Sequence, residues 1–406
     1  MLNPMSALRE LRGPLAVLAS MLFVSQLGIG VMLPIIPLYA MTLGASPRDL
    51  GLLTTAFSLA NVAAQLGIGF VLDRVDTRIP IRAGIATYAG ANLLISTASG
   101  VGPLLAYRAL AGLGAGANLV ADRVYLSKFA DPARLAYLNG LLASAASAGA
   151  LMGPAIGGLL AQVADLRAPF VVVGLTSGIA FLASLRLPRV PQAAADAGAI
   201  VTTSFNRSVI VLLIANTFLL SSFGGFITTF APFATVAFAW STAEVGIVFS
   251  VFAAGSIVFA APLGGLADRR GRRLVGTYAT VPVFFFGLAL ALAMPRPVIY
   301  AFAFLAGGGI SAFSACWFAL LTEASPEARR GRTFGIVNAI STLGVVIGAN
   351  GAAAIWESSD IRIALALTGL MAMIGGLMLN LLPPAIRPAA FPAPRAPEAS
   401  DTPAAR

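Results

Sequence analysis

Apolar stretches of about twenty residues recur along almost the whole chain, separated by short polar connections. Twelve such runs can be marked: 14–40, 49–71, 80–98, 103–127, 135–162, 167–186, 207–237, 243–266, 273–293, 297–321, 331–355 and 361–382. Each is long enough to cross a hydrocarbon core of ~30 Å as a helix. None alternates apolar and polar positions over about ten residues, the mark of a membrane β-barrel strand. Pro34, Pro37, Pro154 and Pro232 fall inside runs, where membrane helices tolerate them. The pattern predicts an all-α integral membrane protein with twelve transmembrane helices.

A repeat divides the pattern in two. The turn Gly264-Gly-Leu-Ala-Asp-Arg-Arg-Gly-Arg-Arg273 lies between the eighth and ninth runs, and a diverged copy, Gly69-Phe-Val-Leu-Asp-Arg-Val-Asp-Thr-Arg78, between the second and third. Gly69 matches Gly264, Asp73 matches Asp268, and Gly51 matches Gly246. Repeats of half a chain are how many secondary transporters are built. The expected organisation is an N-terminus (1–13), a first six-helix bundle (14–186), a linker (187–206), a second bundle (207–382) and a Pro/Ala-rich disordered tail (383–406).

Composition sharpens this. The chain is 58% hydrophobic and 10% charged, with a mean hydropathy of +0.89, which leaves little room for a soluble fold. The net charge of +10 would suggest a nucleic-acid partner, but its distribution argues otherwise. Twenty of the 26 basic residues lie in the N-terminus or in even-numbered connections and the tail, against Arg48, Arg167, Arg296 and Arg362 on the other side. Basic loops face the cytoplasm, so both termini are expected there, in the plasma membrane of a bacterium, with no nucleic acid bound. The first run is too long for a cleavable signal peptide. Cys316 is the single cysteine and there is no histidine, so neither a disulfide nor a cysteine-cluster metal site is expected. Proton chemistry falls to carboxylates. No nucleophile–base pair or phosphate loop suggests an enzyme, and no cofactor is expected.

The motifs resemble those of the major facilitator superfamily, and within it the twelve-helix drug:proton antiporter branch, over residues 14–382. The turn Gly264–Arg273 matches the family's charged loop. Its members here are Gly264, Asp268, Arg269, Gly271, Arg272 and Arg273, with Gly69, Asp73, Arg74 and Arg78 in the first copy. Gly264 allows close helix packing, Gly271 the turn, and Asp268 the capping of a helix N-terminus. The resemblance implies that this loop locks the cytoplasmic gate. Gly149, Gly153, Pro154, Gly157 and Gly158 match the family's antiporter motif, with glycines four apart forming a groove for another helix. Arg108, followed by Gly112, Gly114 and Gly116, matches an arginine that the family implicates in proton coupling; a cation snorkelling to the interface is the alternative.

The first copy of the charged loop departs from the pattern. Asp76 stands where a glycine is usual, and Lys128 where relatives carry an acid. A swapped Asp76–Lys128 ion pair is one reading, unrelated drift the other. Asp122, with Arg123 beside it, lies well inside the fourth run. Its 14-residue separation from Arg108 is close to four turns, so both can share a face. Asp122 is the candidate proton carrier, with a structural ion pair as the alternative.

The resemblance places the first, fourth, seventh and tenth helices around a central cavity. Gln26, Met32, Asn118, Asn216, Thr228, Phe313 and Trp317 are the candidate lining, with Asn61, Gln65 and Asn338 in second rank. Counting Arg108, Arg123 and Asp122, the cavity charge is at most +1; many exporters of cationic drugs that the chain resembles carry an acid in the first helix, and its absence here favours neutral or anionic cargo. The expected function is proton-coupled export of a small amphipathic molecule by a monomer in the lipid bilayer, by alternating access. A facilitator or symporter importing a metabolite is the alternative, and a transport-inactive receptor the alternative of another class.

Overall fold

The computed structural model describes residues 14–72, 75–129, 135–189, 206–325 and 330–383. The helices are α1 (Pro14–Thr42), α2 (Pro47–Leu72), α3 (Arg78–Ser96), α4 (Val101–Phe129), α5 (Leu135–Val163), α6 (Ala168–Ser184), α7 (Arg207–Ala237), α8 (Thr242–Arg270), α9 (Arg272–Ala279), α10 (Val281–Ala291), α11 (Arg296–Ala324), α12 (Arg330–Ser358) and α13 (Ile361–Met378), the last continued by a 3-10 turn. Among the described residues, ten spans are long and apolar enough to cross a membrane, α9 and α10 counting as one. The linker 190–205, the tail beyond 383, and Asp73 and Arg74 lie outside the described residues.

The ninth run is one apolar stretch in the sequence but two helices in the structure. Pro282, in the first turn of α10, has no N–H to continue the ladder, and its ring collides with the turn before it.

The repeat extends far beyond the charged loops. Adding 195 to the bounds of α4 gives α11, residue for residue, and adding it to α5 gives α12. Contacts obey the same offset. Gly112 packs on the Phe57 carbonyl and Gly307 on that of Phe252; Gly114 packs on Gly84 and Gly309 on Ala279. Arg78 donates to the Leu187 carbonyl at 3.4 Å, and Arg273 to that of Leu382 at 2.8 Å. In each half, the arginine after the charged turn ties the start of its helix to the chain leaving the last one.

The halves meet at one end only. We call it the arginine-poor end; the charged turns mark the other. There α5 packs on α8 and α2 on α12, again symmetrically. Gly246 lies on Pro154, and Gly51 on Ala349 and Asn350. Ser250 accepts from the Ala155 backbone N–H at 3.2 Å, and Asn350 donates to Thr55 at 2.6 Å. Thr242 donates to the Gly158 carbonyl at 2.8 Å. Among the described residues, the hydrogen bonds between α1–α6 and α7–α13 lie here. Toward the arginine-rich end the halves separate, and Leu66 on α2 is 56% exposed.

Candidate functional site

One face of the first half carries a cleft. Two apolar clusters fill its ends: Ile35, Tyr39, Leu53 and Phe170 at the arginine-poor end, and Leu18, Ile81, Ala121 and Tyr125 at the other. Between them α1, α2, α4 and α5 line an open cleft of about 710 Å³, a size that suits a drug-like molecule. Its polar lining is Ser25, Gln26, Asn61, Asn118, Asp122 and Ser147, set among Leu22, Ile29, Phe57 and alanines.

Asp122 is the one charged side chain of that lining. It is 5% exposed, and its Oδ1 has no hydrogen-bond partner. Behind the cavity it faces a second, much smaller void of about 10 Å³, bounded by Ser25, Tyr88, Asn118, Asp122 and Ser177 from α1, α3, α4 and α6. Asn118 Oδ1 and Ser177 Oγ are likewise buried and unpartnered. Asn118 Oδ1 is seated against Gly84, where any side chain would collide with it.

Arg108 stands apart. Fourteen residues of helix separate it from Asp122 by about 21 Å along the axis, too far for an ion pair. Its guanidinium carbon lies 4.4 Å from the centroid of the Phe57 ring, a cation–π contact, and its Nε is buried without a partner. Phe57 lines the cavity, so Arg108 touches it through that ring. The Arg123 side chain lies outside the described residues. The described lining therefore holds no cation.

Of the other candidate lining residues, Gln26 and Asn118 reach the cavity and Asn61 joins them. Gln65 donates to Asn61 at 2.6 Å. Met32 packs in the apolar cluster with Ile35, and Phe313 and Trp317 in the core of the second half. The Trp317 indole N–H donates to the Leu212 carbonyl at 2.8 Å, so its polar edge is already satisfied. Thr228 is buried and bonded to the Gly224 carbonyl, Asn216 is buried on α7, and Asn338 is exposed. The sequence reading missed Ser25, Ser147, Ser177 and Tyr88. Each is a common residue of packed membrane helices, and only the shared void distinguishes them.

The charged turn of the second half is a network. Gly271 has φ +103°, a conformation that favours glycine. Arg272 pairs with Asp268 at 3.0 Å and also with Glu323, linking α8 to the end of α11. Asp268 is thus engaged by its own turn and caps no neighbouring helix. Gly264 faces open space within 4 Å, so in this conformation it packs against nothing. In the first half, Asp76 accepts from Arg78 at 2.7 Å and lies 3.6 Å from Arg189. The Arg78 guanidinium holds the Asp76 carboxyl below the usual carboxylate range. The side chain of Lys128, the other candidate partner, lies outside the described residues, and Gly69 closes α2 just before the undescribed turn.

The motif glycines of α5 are occupied as a groove. A Cβ at Gly149, Gly153 or Gly157 would collide with the backbone of α1 at Phe23, Leu27 and Val31, and one at Gly158 with Thr242 of α8. Pro154 carries the carbonyl on which Gly246 rests.

A profile of the Major Facilitator Superfamily matches residues 18–232 and 212–404. An uncharacterized MFS-type transporter of Methanocaldococcus jannaschii is 31% identical over 162 residues, 40% of this chain and 42% of the relative. The quinolone resistance protein NorA of Staphylococcus aureus is 27% identical over 177 residues, 44% of this chain and 45% of that protein. The matched part thus spans less than half of either relative. Among solved structures, the nucleoside transporter NupG superposes with a TM-score of 0.80 over 91% of this chain and 99% of its own, at 14% identity.

Proposed function

The chain belongs to the major facilitator superfamily, and from that premise we propose that it is a secondary active transporter exporting a small amphipathic molecule in exchange for protons. The ten apolar spans, with α3 and α6 packed among them, make twelve crossings in two six-helix bundles that rock about the shared arginine-poor end. The arginine-rich end is cytoplasmic by the positive-inside rule, so this conformation is open to the cell interior. The likeness to a quinolone resistance protein and the glycine-proline groove of α5 support export.

One observation carries the coupling: Asp122 is buried, has no ion-pair partner among the described residues, and lines the large cavity. Burying a carboxylate with no cation beside it is costly, and proton uptake removes the charge. A bundle that takes up a proton when open to one face and releases it at the other couples cargo to the gradient. That gradient supplies about 1.4 kcal/mol per tenfold proton ratio and about 2.3 kcal/mol per 100 mV. Arg108, beside Phe57, senses cargo through that ring rather than pairing with Asp122.

In liposomes, Asp122→Asn should still bind cargo but fail to concentrate it, and cargo should drive no proton movement. Proton-coupled accumulation at the wild-type level by the variant would remove Asp122 from the mechanism. Whether expression lowers or raises cell content of the cargo decides between export and import.

A further inference from the structure

Between α8 and α9, with α11 as its floor, the second half carries a groove of about 360 Å³. Phe259, Leu263, Leu266, Tyr278 and Pro282 make its walls, and the Arg270 side chain stands at one end. On α8 the residues Phe259, Leu263, Leu266 and Arg270 follow at i, i+4, i+7 and i+11, one helix face over about 16 Å. That is the depth of a single leaflet, half of a ~30 Å hydrocarbon core. The groove therefore runs from the membrane surface at the charged turn to an apolar end, where the Phe259 ring meets that of Phe304. The helices on which α9 and α10 pack all belong to the second half, and Leu274, Tyr278 and Leu305 are exposed along the rim. It opens outward, away from the cleft of the first half.

The charge at its end is free. Arg272 and Arg273 of the same turn are engaged, by Asp268 and Glu323 and by the Leu382 carbonyl. Arg270 and its neighbour Arg269 are exposed and make no ion pair among the described residues. At the repeat offset Arg270 corresponds to Val75 and Tyr278 to Ala83, so the cation and the phenol belong to one half only. Tyr278 lies within two turns of the start of α9, and tyrosine is a residue of membrane–water interfaces.

A hydrocarbon chain gains nothing hydrophobic by leaving lipid for an equally apolar groove. Selection of an occupant must therefore come from the charged end. An arginine at the surface favours an anionic headgroup over a zwitterionic one, and its guanidinium fork matches two phosphate oxygens. We propose that this groove binds an anionic phospholipid, one chain lying along Phe259, Leu263 and Leu266 and the phosphate on Arg270. In the orientation proposed above, that lipid belongs to the cytoplasmic leaflet, the anionic one. The site uses neither Asp122 nor cargo.

The test uses the full chain in phosphatidylcholine vesicles with a trace of phosphatidylglycerol that carries a photoreactive diazirine in one acyl chain. After irradiation, mass spectrometry maps the adducts. Wild type should carry them between Phe259 and Tyr278; excess unlabelled phosphatidylglycerol should remove them, and the same amount of added phosphatidylcholine should not. Arg270→Gln should lower this labelling about fivefold, the worth of one basic residue at an anionic surface, and Arg270→Lys should keep most of it. Melting temperatures equal to wild type check that both variants are folded. The proposal is overturned if diazirine-bearing phosphatidylcholine labels the groove as strongly, the mark of ordinary annular lipid. It is overturned equally by wild-type labelling of folded Arg270→Gln, or by no adducts in the groove. Labelling is read without cargo or gradient, so its failure leaves the export reading standing, and a failure of export leaves the lipid site standing.

Discussion

The two halves share helix bounds, glycine contacts and an arginine tie to the last helix, yet their centres are opposites. Where the first half carries Asn118 and Asp122 on α4, the second carries Phe313 and Trp317 on α11. Phe226, Phe230, Phe249 and Phe286 pack around one another in the second half, with ring centroids 4.9 to 5.5 Å apart. The positions matching those rings, Val31, Ile35, Thr54 and Ala91, lie at the filled arginine-poor end of the first half, and its cavity lies deeper, around Asn118 and Asp122. The charged turns divide the other way, intact in the second half and eroded in the first. One copy has an aromatic core and a complete charged loop, and the other carries buried polar groups at its centre.

The difference can be broken most forcefully at the matched α4 and α11 positions. Trp317→Ala empties a filled core and forfeits the Leu212 hydrogen bond, a loss of about 3–5 kcal/mol. Asn118→Ala removes an atom that has no partner, so its melting temperature should stay near wild type. Equal destabilisation of the two would mean that the first half is as tightly packed as the second.

A middle-sized effect is expected at the gate. Gly158 lies against Thr242, and its counterpart Ala353 already carries a methyl. Gly158→Ala should hinder closure of the arginine-poor end and lower transport by about tenfold, while Ala353→Gly should leave it nearly unchanged. Matching transport rates for the two variants would show that the seams are interchangeable.

The smallest effects belong to the charged turns. Asp268→Asn breaks the exposed pair with Arg272 and should reduce transport several-fold in a folded protein, costing at most about 1 kcal/mol of stability. Asp76→Asn should do less. Because Arg78 depresses the Asp76 carboxyl, its stabilising contribution is present above the ordinary carboxylate range and is lost as pH falls through the lowered value. The melting difference between wild type and Asp76→Asn should therefore shrink on acidification; a gap that widens would contradict the pairing.

Much of this architecture is legible in the sequence, because span length and loop charge are set by the bilayer. The expected run 207–237 is α7 to the residue, and most other ends differ by three or fewer. Rotation is not legible. A membrane helix is apolar toward lipid and toward its neighbours alike, so periodicity does not reveal which face looks inward. Depth alone therefore placed Met32, Phe313 and Trp317 in the cavity, although all three are core residues. Gln26, Asn118 and Asp122 were recoverable because a buried polar group in a membrane helix needs a reason. The reason at Ser177 is visible only once four helices are assembled around it.

The closed end has a consequence for the electrical behaviour of the molecule. Its fastenings are Thr54, Thr55, Thr242, Ser250, Asn350 and backbone carbonyls, all uncharged, each bond contributing about 0.5–1.5 kcal/mol net. Unfastening them moves no charge through the field across the bilayer. Membrane potential thus has no grip on that step, and any voltage sensitivity of turnover falls to what the first half carries at Asp122 and Arg108, and to the cargo itself.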